Sequence, residues 1–106
     1  MSRFARKVDT THAPIGAALR KVGAIVYDTS RLGDDFADYV VLYGGVTVLI
    51  ECKTPNRKGG GRKALPREEA QLVAQMLWTD AGGKWIIATS PEDAVKKVRI
   101  HASQRT

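Results

Sequence analysis

Asp38 stands thirteen residues ahead of the tripeptide Glu51-Cys52-Lys53. Two carboxylates supply the oxygen ligands that suit a hard cation such as Mg²⁺, and an ammonium beside them can touch a substrate at the metal. Glu51 and Lys53 close the run Val46-Thr47-Val48-Leu49-Ile50-Glu51-Cys52-Lys53, rich in β-branched and apolar residues. Such a run reads as a strand, in which residues two apart share a face. A carboxylate and an ammonium are thus expected side by side at the end of a core strand. Charges are seldom aimed that way without a partner or a use.

The preceding run, Tyr39-Val40-Val41-Leu42-Tyr43, is a second strand candidate, and Gly44-Gly45 between the two is a hairpin signal. A two-residue turn there pairs Tyr43 with Val46 and Val41 with Val48, and sets Asp38 across from Glu51. Like charges across a ladder, with Cβ atoms roughly 4.5–5.5 Å apart, repel. A cation between them turns that repulsion into coordination. The plainer alternative is a hairpin end whose charges are solvated.

The elements that must position these residues follow from the rest of the chain. Its 106 residues fit one domain, and 43% hydrophobic with 26% charged residues is a globular balance. No apolar run is long enough for a membrane span and no secretory signal follows the basic start, so a cytoplasmic protein without a membrane partner is expected. The single cysteine excludes an internal disulfide and fits a reducing compartment. Cys52 faces away from Glu51 and Lys53 and reads as a core residue.

Residues 1–9 read as a basic arm. A helix is expected from about Thr11 to Gly23, with Ile15, Ala18, Leu19 and Val22 at helical spacing and Pro14 in its first turn. Ala24 to Asp28 is a short strand, followed by a loop containing Gly33. The hairpin spans about 38–43 and 46–53. Both its faces are apolar, the pattern of a sheet covered on two sides. Residues 55–64 form a mobile basic loop around Gly59-Gly60-Gly61.

A second helix is expected over Pro66 to Asp80, with Leu65, Leu72, Val73, Met76 and Leu77 as its inward stripe. Glu69 falls on that stripe. It is either a site residue or a carboxylate favoured by the helix dipole. Lys84 to Thr89 is a further strand. Ser90-Pro91-Glu92-Asp93 reads as an N-cap, an N1 proline and an acidic first turn. The last helix is expected to run to about Val98, with 101–106 as a frayed tail. The order is α-β-β-β-α-β-α: a single α/β domain with a central mixed sheet flanked by helices.

The net charge of +6 suits an anionic partner or simply a solvated basic surface. Arg57, Lys58, Arg62, Lys63 and Arg67 form one cluster, and Arg3, Arg6 and Lys7 another.

With these residues in place, the chain resembles the PD-(D/E)xK nuclease superfamily, and within it the small stand-alone VRR-NUC-type nucleases of phages and bacteria. The resemblance runs from Val8-Asp9 through Ile15, Ala18-Leu19-Arg20, Gly33, Asp38, Val48-Leu49-Ile50-Glu51-Cys52-Lys53 and Arg62-Lys63 to Leu65, Glu69 and Ser90-Pro91-Glu92-Asp93-Ala94. It implies a restriction-endonuclease-like core. It implies that Asp38, Glu51 and the Cys52 backbone carbonyl hold Mg²⁺ or Mn²⁺, and that Lys53 orients or activates the attacking water. Glu69 matches an acid or amide early in the family's second helix. The chain departs from the pattern at Ala37, where the family has proline, and at Asp35, where it has glycine. Asp35 is then an extra surface carboxylate or a competitor for the metal. The first helix lacks the family's Glu or Gln, and His12 is either a substitute water contact or an exposed bystander.

The function expected on this basis is metal-dependent DNA endonuclease activity, structure-selective toward branched DNA or Holliday junctions. The expected assembly is a homodimer without a small-molecule cofactor. A catalytically silent nucleic-acid-binding module with the same fold is the alternative, and a basic protein-interaction domain is a third.

Overall fold

A computed structural model describes residues 12–32, 36–53 and 66–104. Its elements are α1 (His12–Lys21), β1 (Ile25–Asp28), β2 (Tyr39–Tyr43), β3 (Val46–Cys52), α2 (Pro66–Asp80), β4 (Trp85–Ala88) and α3 (Pro91–Ser103). This is the expected order. The basic arm, Gly33, Asp35, the whole Gly-rich loop 55–64 and Leu65 lie outside the described residues.

The strands form one mixed sheet in the order β1-β2-β3-β4. Gly44 and Gly45 have φ of 59° and 83°, the positive values a tight hairpin turn demands at both central residues. The turn sets the expected antiparallel register, with Tyr43 against Val46, Val41 against Val48 and Tyr39 against Ile50. β1 pairs antiparallel with β2, and β4 runs parallel to β3 with Glu51 beside Ile87.

Helix ends follow local chemistry. After α1, Gly23 takes φ of 97°, its N–H bonds the Arg20 carbonyl at 3.0 Å, and the Ala24 N–H bonds the Leu19 carbonyl at 3.0 Å. This reciprocal pair is a Schellman stop, which favours glycine in the left-handed region. At α3, the Ser90 hydroxyl accepts the Asp93 N–H at 3.0 Å and Pro91 opens the first turn. α3 does not stop near Val98 but continues to Ser103. Ala102 packs against the main core, which holds the last turn in the helix.

α1 and α3 cover one sheet face. Ile15, Leu19, Ala94 and Val98 bury against Val26, Tyr39, Val41, Val48, Ile50, Cys52 and Ile86. Cys52 belongs to this core, as its strand position implied. The other face has a smaller core of Ala37, Leu49 and Trp85, packed by Phe36, Val40 and Ala74 of α2.

Two expectations fail on that second face. Among the described residues the sheet is covered there only over β3 and β4, and Ile25, Tyr27 and Leu42 are exposed. The stripe of α2 is also turned outward: Leu72, Val73, Met76 and Leu77 are 54%, 55%, 62% and 65% exposed. The side nearer the sheet carries Gln71, Ala74, Gln75 and Trp78. Gln71 Nε2 donates to the Phe36 carbonyl at 3.3 Å and Trp78 Nε1 to the Lys84 carbonyl at 3.2 Å. Periodicity locates an apolar stripe but not what it faces, and here hydrogen bonds from the less apolar side anchor the helix.

Gly16 marks the tightest approach of α1 to the sheet, because a Cβ there would collide with the Tyr39 hydroxyl and ring. Gly16→Ala is therefore expected to destabilise the protein by about 1–3 kcal/mol through overpacking, read as a lower thermal midpoint. An unchanged midpoint would refute the contact.

Asp93 predicts a pH dependence. Burial opposes its ionisation, but the Thr89 N–H and the Lys97 ammonium outweigh burial and hold the carboxyl below the usual range. A lowered folded pKa adds stability above the unfolded pKa of about 3.9, lost as pH falls through the folded value. Asp93→Asn should thus be less stable than wild type near neutrality, with the two converging in acid. A gap that persists at the lowest pH in urea titrations counts against this reading.

Candidate active site

The regular β2–β3 ladder ends at the Tyr39–Ile50 pair, one step short of Asp38 and Glu51. Beyond it the backbone of Asp38 is clamped from both sides. Its N–H bonds the Ile50 carbonyl at 2.9 Å, and its carbonyl accepts the Thr29 N–H at 2.8 Å. The Thr29 hydroxyl adds a bond to the buried Ala37 carbonyl at 2.9 Å. So fixed, Asp38 Oδ2 accepts the Cys52 N–H at 2.8 Å. That N–H belongs to the peptide joining Glu51 to Cys52. The two carboxylate residues are therefore neighbours, as the hairpin register implied, although side chain to backbone rather than as a regular ladder pair.

Glu51 is 4% exposed. Lys53 Nζ lies 2.9 Å from its Oε2, so the two side chains do share a face at the strand end. The indole of Trp85 donates to Glu51 Oε1 at 3.3 Å. Both carboxylate oxygens are thus engaged, which is what a buried charge requires. The Lys53 backbone is held as well, its N–H bonding the Ala88 carbonyl at 2.9 Å. Trp85 was not among the residues the sequence singled out. Its place beside Glu51 comes from the parallel β3–β4 register, which sets Trp85 against Leu49, and no local sequence signal encodes that register.

His12 is buried, not the exposed bystander that a histidine at a helix start suggests. Its ring stacks on Tyr39 with centroids 4.6 Å apart. Its Nε2 has no hydrogen-bond partner among the described residues and lies 3.8 Å from Asp28 Oδ2. The ring is thus directed at β1. Tyr39 donates its hydroxyl to the His12 carbonyl at 2.9 Å. Burial, followed by the surrounding Cys52 and Asp28 side chains, pushes that phenol up to about 12, so it stays a donor.

Glu69 is exposed on the outward side of α2, not on an inward edge. Arg67 lies in the first turn of the same helix. Arg57, Lys58, Arg62 and Lys63 lie outside the described residues. Among the described residues, no group of three or more His, Cys, Asp or Glu side chains is arranged to hold a metal. The donor set that the resemblance implied, the Asp38 and Glu51 carboxylates with the Cys52 backbone carbonyl, consists of oxygens. Oxygen donors of that kind suit a hard cation.

A solved structure described as a VRR_NUC domain superposes on 84% of this chain and 90% of its own, with a TM-score of 0.61 at 20% identity. The fold is that of a VRR_NUC domain. The likeness read from the sequence therefore holds at the level of the fold. No protein-family model matches the chain and no curated protein matches it. Within the VRR_NUC fold, the cluster sits where β2, β3 and β4 converge, carried by strand ends. Among the described residues no helix is long and apolar enough to cross a membrane.

The Glu51–Lys53 pair makes a testable statement about stability. Lys53→Met leaves a buried carboxylate without its ammonium, whereas Glu51→Gln keeps an acceptor for Trp85. Breaking a fully buried pair costs about 3–5 kcal/mol, and partial exposure of Lys53 reduces this to roughly 1–3 kcal/mol. Urea denaturation should therefore rank Lys53→Met below Glu51→Gln. Equal midpoints would show that the pair is not an organising contact.

Proposed function

We propose that the chain is a Mg²⁺- or Mn²⁺-dependent endonuclease that hydrolyses DNA phosphodiester bonds. Its selectivity is for branched structures such as Holliday junctions rather than for sequence. The single observation that carries this reading is the Asp38–Glu51–Lys53 cluster at the strand ends of a VRR_NUC fold. Asp38 and Glu51, with the Cys52 carbonyl, would hold the cation. When bound, such an ion acidifies water and offsets charge on the phosphate.

The protein's own residues supply position. The Cys52 N–H orients the Asp38 carboxylate. Trp85 and Lys53 orient that of Glu51. Lys53, with its side chain 35% exposed, can meet both the attacking water and a phosphate oxygen, which is electrostatic stabilisation aimed at the developing charge. Glu69 is an accessory residue at the start of α2, and His12 acts through Tyr39 rather than at the reacting atoms. Arg57, Lys58, Arg62, Lys63 and Arg67 would grip phosphates, in contacts that bring affinity and salt dependence but little sequence information. The protein would act in the cytoplasm as a homodimer, addressing two strands with two sites.

One observation favours the silent binding module. The first turn of α1 has no acidic residue, and its buried histidine is aimed at Asp28.

Two measurements separate the readings. Wild type should nick a four-way junction or flap with Mg²⁺ or Mn²⁺, and Lys53→Ala should lower kcat/KM by about 10²-fold, the scale of losing one electrostatic contact in the transition state. In a Trp78→Phe background, Mg²⁺ should change Trp85 emission, and Glu51→Gln should abolish that change. A silent module would bind DNA, cleave none of these substrates and leave Trp85 emission indifferent to the cation.

A further inference from the structure

A groove runs between α1 and α3 on the side of their layer that faces solvent. Residues three and four apart on a helix share a side. Ala18 with Val22, and Pro91 with Val95, therefore line up as an apolar floor of half-buried side chains. Lys21, Glu92, Lys96 and Arg99 stand exposed along its rim. Glu92 lies in the first turn of α3 and Lys21 in the last turn of α1, where each charge suits the helix dipole. Lys96 and Arg99 have no such local use. Other cations of the two helices are spent inward. Arg20 Nη2 donates to the Val26 carbonyl at 3.2 Å, and Lys97 Nζ donates to the Ile87 carbonyl at 2.8 Å and pairs with Asp93 at 3.1 Å. Among the described residues, Lys21, Lys96 and Arg99 have no ion-pair partner.

We infer that this groove docks an acidic, amphipathic helix of a partner protein. Charge complementarity and the floor together select that occupant. Three uncommitted cations against one carboxylate favour a partner that brings negative charge to the rim. The floor makes a second demand, for apolar side chains, and Pro91 and Val95 stand one helical turn apart along it. A helix with apolar residues three and four apart, flanked by acidic ones, meets both demands. A nucleic-acid backbone would satisfy the rim alone and leave the floor wet. A second copy of the chain, with its net charge of +6, would oppose the rim. The groove is also separate from the candidate active site. Glu51 bonds Trp85 of the smaller core, on the sheet face that α2 packs, whereas α1 and α3 cover the other face. A partner docked between α1 and α3 thus leaves the Glu51–Lys53 side of the sheet open.

The inference goes beyond the nuclease reading and does not rest on it. Docking needs neither metal nor DNA, so absence of cleavage would not touch it.

The test uses the full chain and a synthetic probe. The probe is a fluorescein-labelled helical peptide with leucine at alternating three- and four-residue spacing and glutamate on both flanks. Its anisotropy should rise on titration with wild type. Lys21→Glu and Arg99→Glu should each weaken binding about fivefold, the order expected when an exposed ion pair becomes a repulsive one. Arg31→Glu, the same change in net charge placed beyond the end of β1, should leave binding unchanged. All three side chains are exposed, so the variants should keep the wild-type thermal midpoint. Exchanging the peptide's leucines for serine should abolish binding, which tests the floor without altering the protein. Absence of binding by wild type would refute docking altogether. Equal weakening by Arg31→Glu and Lys21→Glu would reduce the effect to net charge and overturn the site. If the serine peptide binds as well as the leucine peptide, and a duplex oligonucleotide loses affinity for Lys21→Glu and Arg99→Glu in the same proportion, the groove holds phosphates and the proposal fails.

Discussion

Gly44 and Gly45 both take positive φ, and the two-residue turn they form leaves β2 and β3 one register. Everything at the candidate site depends on it. Strand side chains alternate with a period of two, so a slip of one residue would exchange the faces of β3. Glu51 and Lys53 would then enter the α1–α3 core, and Cys52 would leave it. In the register observed, the carboxylate of Asp38 reaches the peptide between Glu51 and Cys52.

The site is held by backbone more than by side chains. Hydrogen bonds to Thr29 and Ile50 clamp Asp38, and Ala88 clamps Lys53 from the opposite strand. Tyr39 follows Asp38, and its phenol bonds the first residue of α1. A burial-raised pKa near 12 keeps that donor protonated at any physiological pH. The close approach at Gly16 fits the same tyrosine against the helix. Sites supported in this way keep their geometry because the sheet would have to open before they moved.

α2 shows the opposite economy. It contributes little burial to its own domain, touching the smaller core through Ala74, and it exposes most of its apolar surface. Its hydrogen bonds orient it, but its hydrophobic side chains remain unspent. A domain of this size has little core to spare, so an apolar stripe left outside it is a cost in hydrophobic burial that the domain itself does not recover.

Much of this was legible in the residues. The element order, the glycine stops, the Ser90 cap and the hairpin register depend on interactions within a few positions, and such interactions are written locally. The side-by-side placement of Glu51 and Lys53 follows from strand geometry alone. Other features were not legible. Trp85 meets Glu51 because β4 lies parallel to β3, a pairing across a long connection with no register mark in the sequence. His12 is buried because α1 packs on Tyr39, and α3 extends to Ser103 because Ala102 finds the core. The apolar stripe of α2 was plain, but its direction was not. Periodicity reports which side chains share a face, whereas the competition among Gln71, Trp78 and their distant carbonyl acceptors decides which way that face turns. The local elements and the charged residues at their ends were thus written in the residues themselves. What surrounds that cluster, and which apolar residues stay exposed, followed from the packing of the whole domain, because those outcomes depend on contacts between residues far apart in the chain.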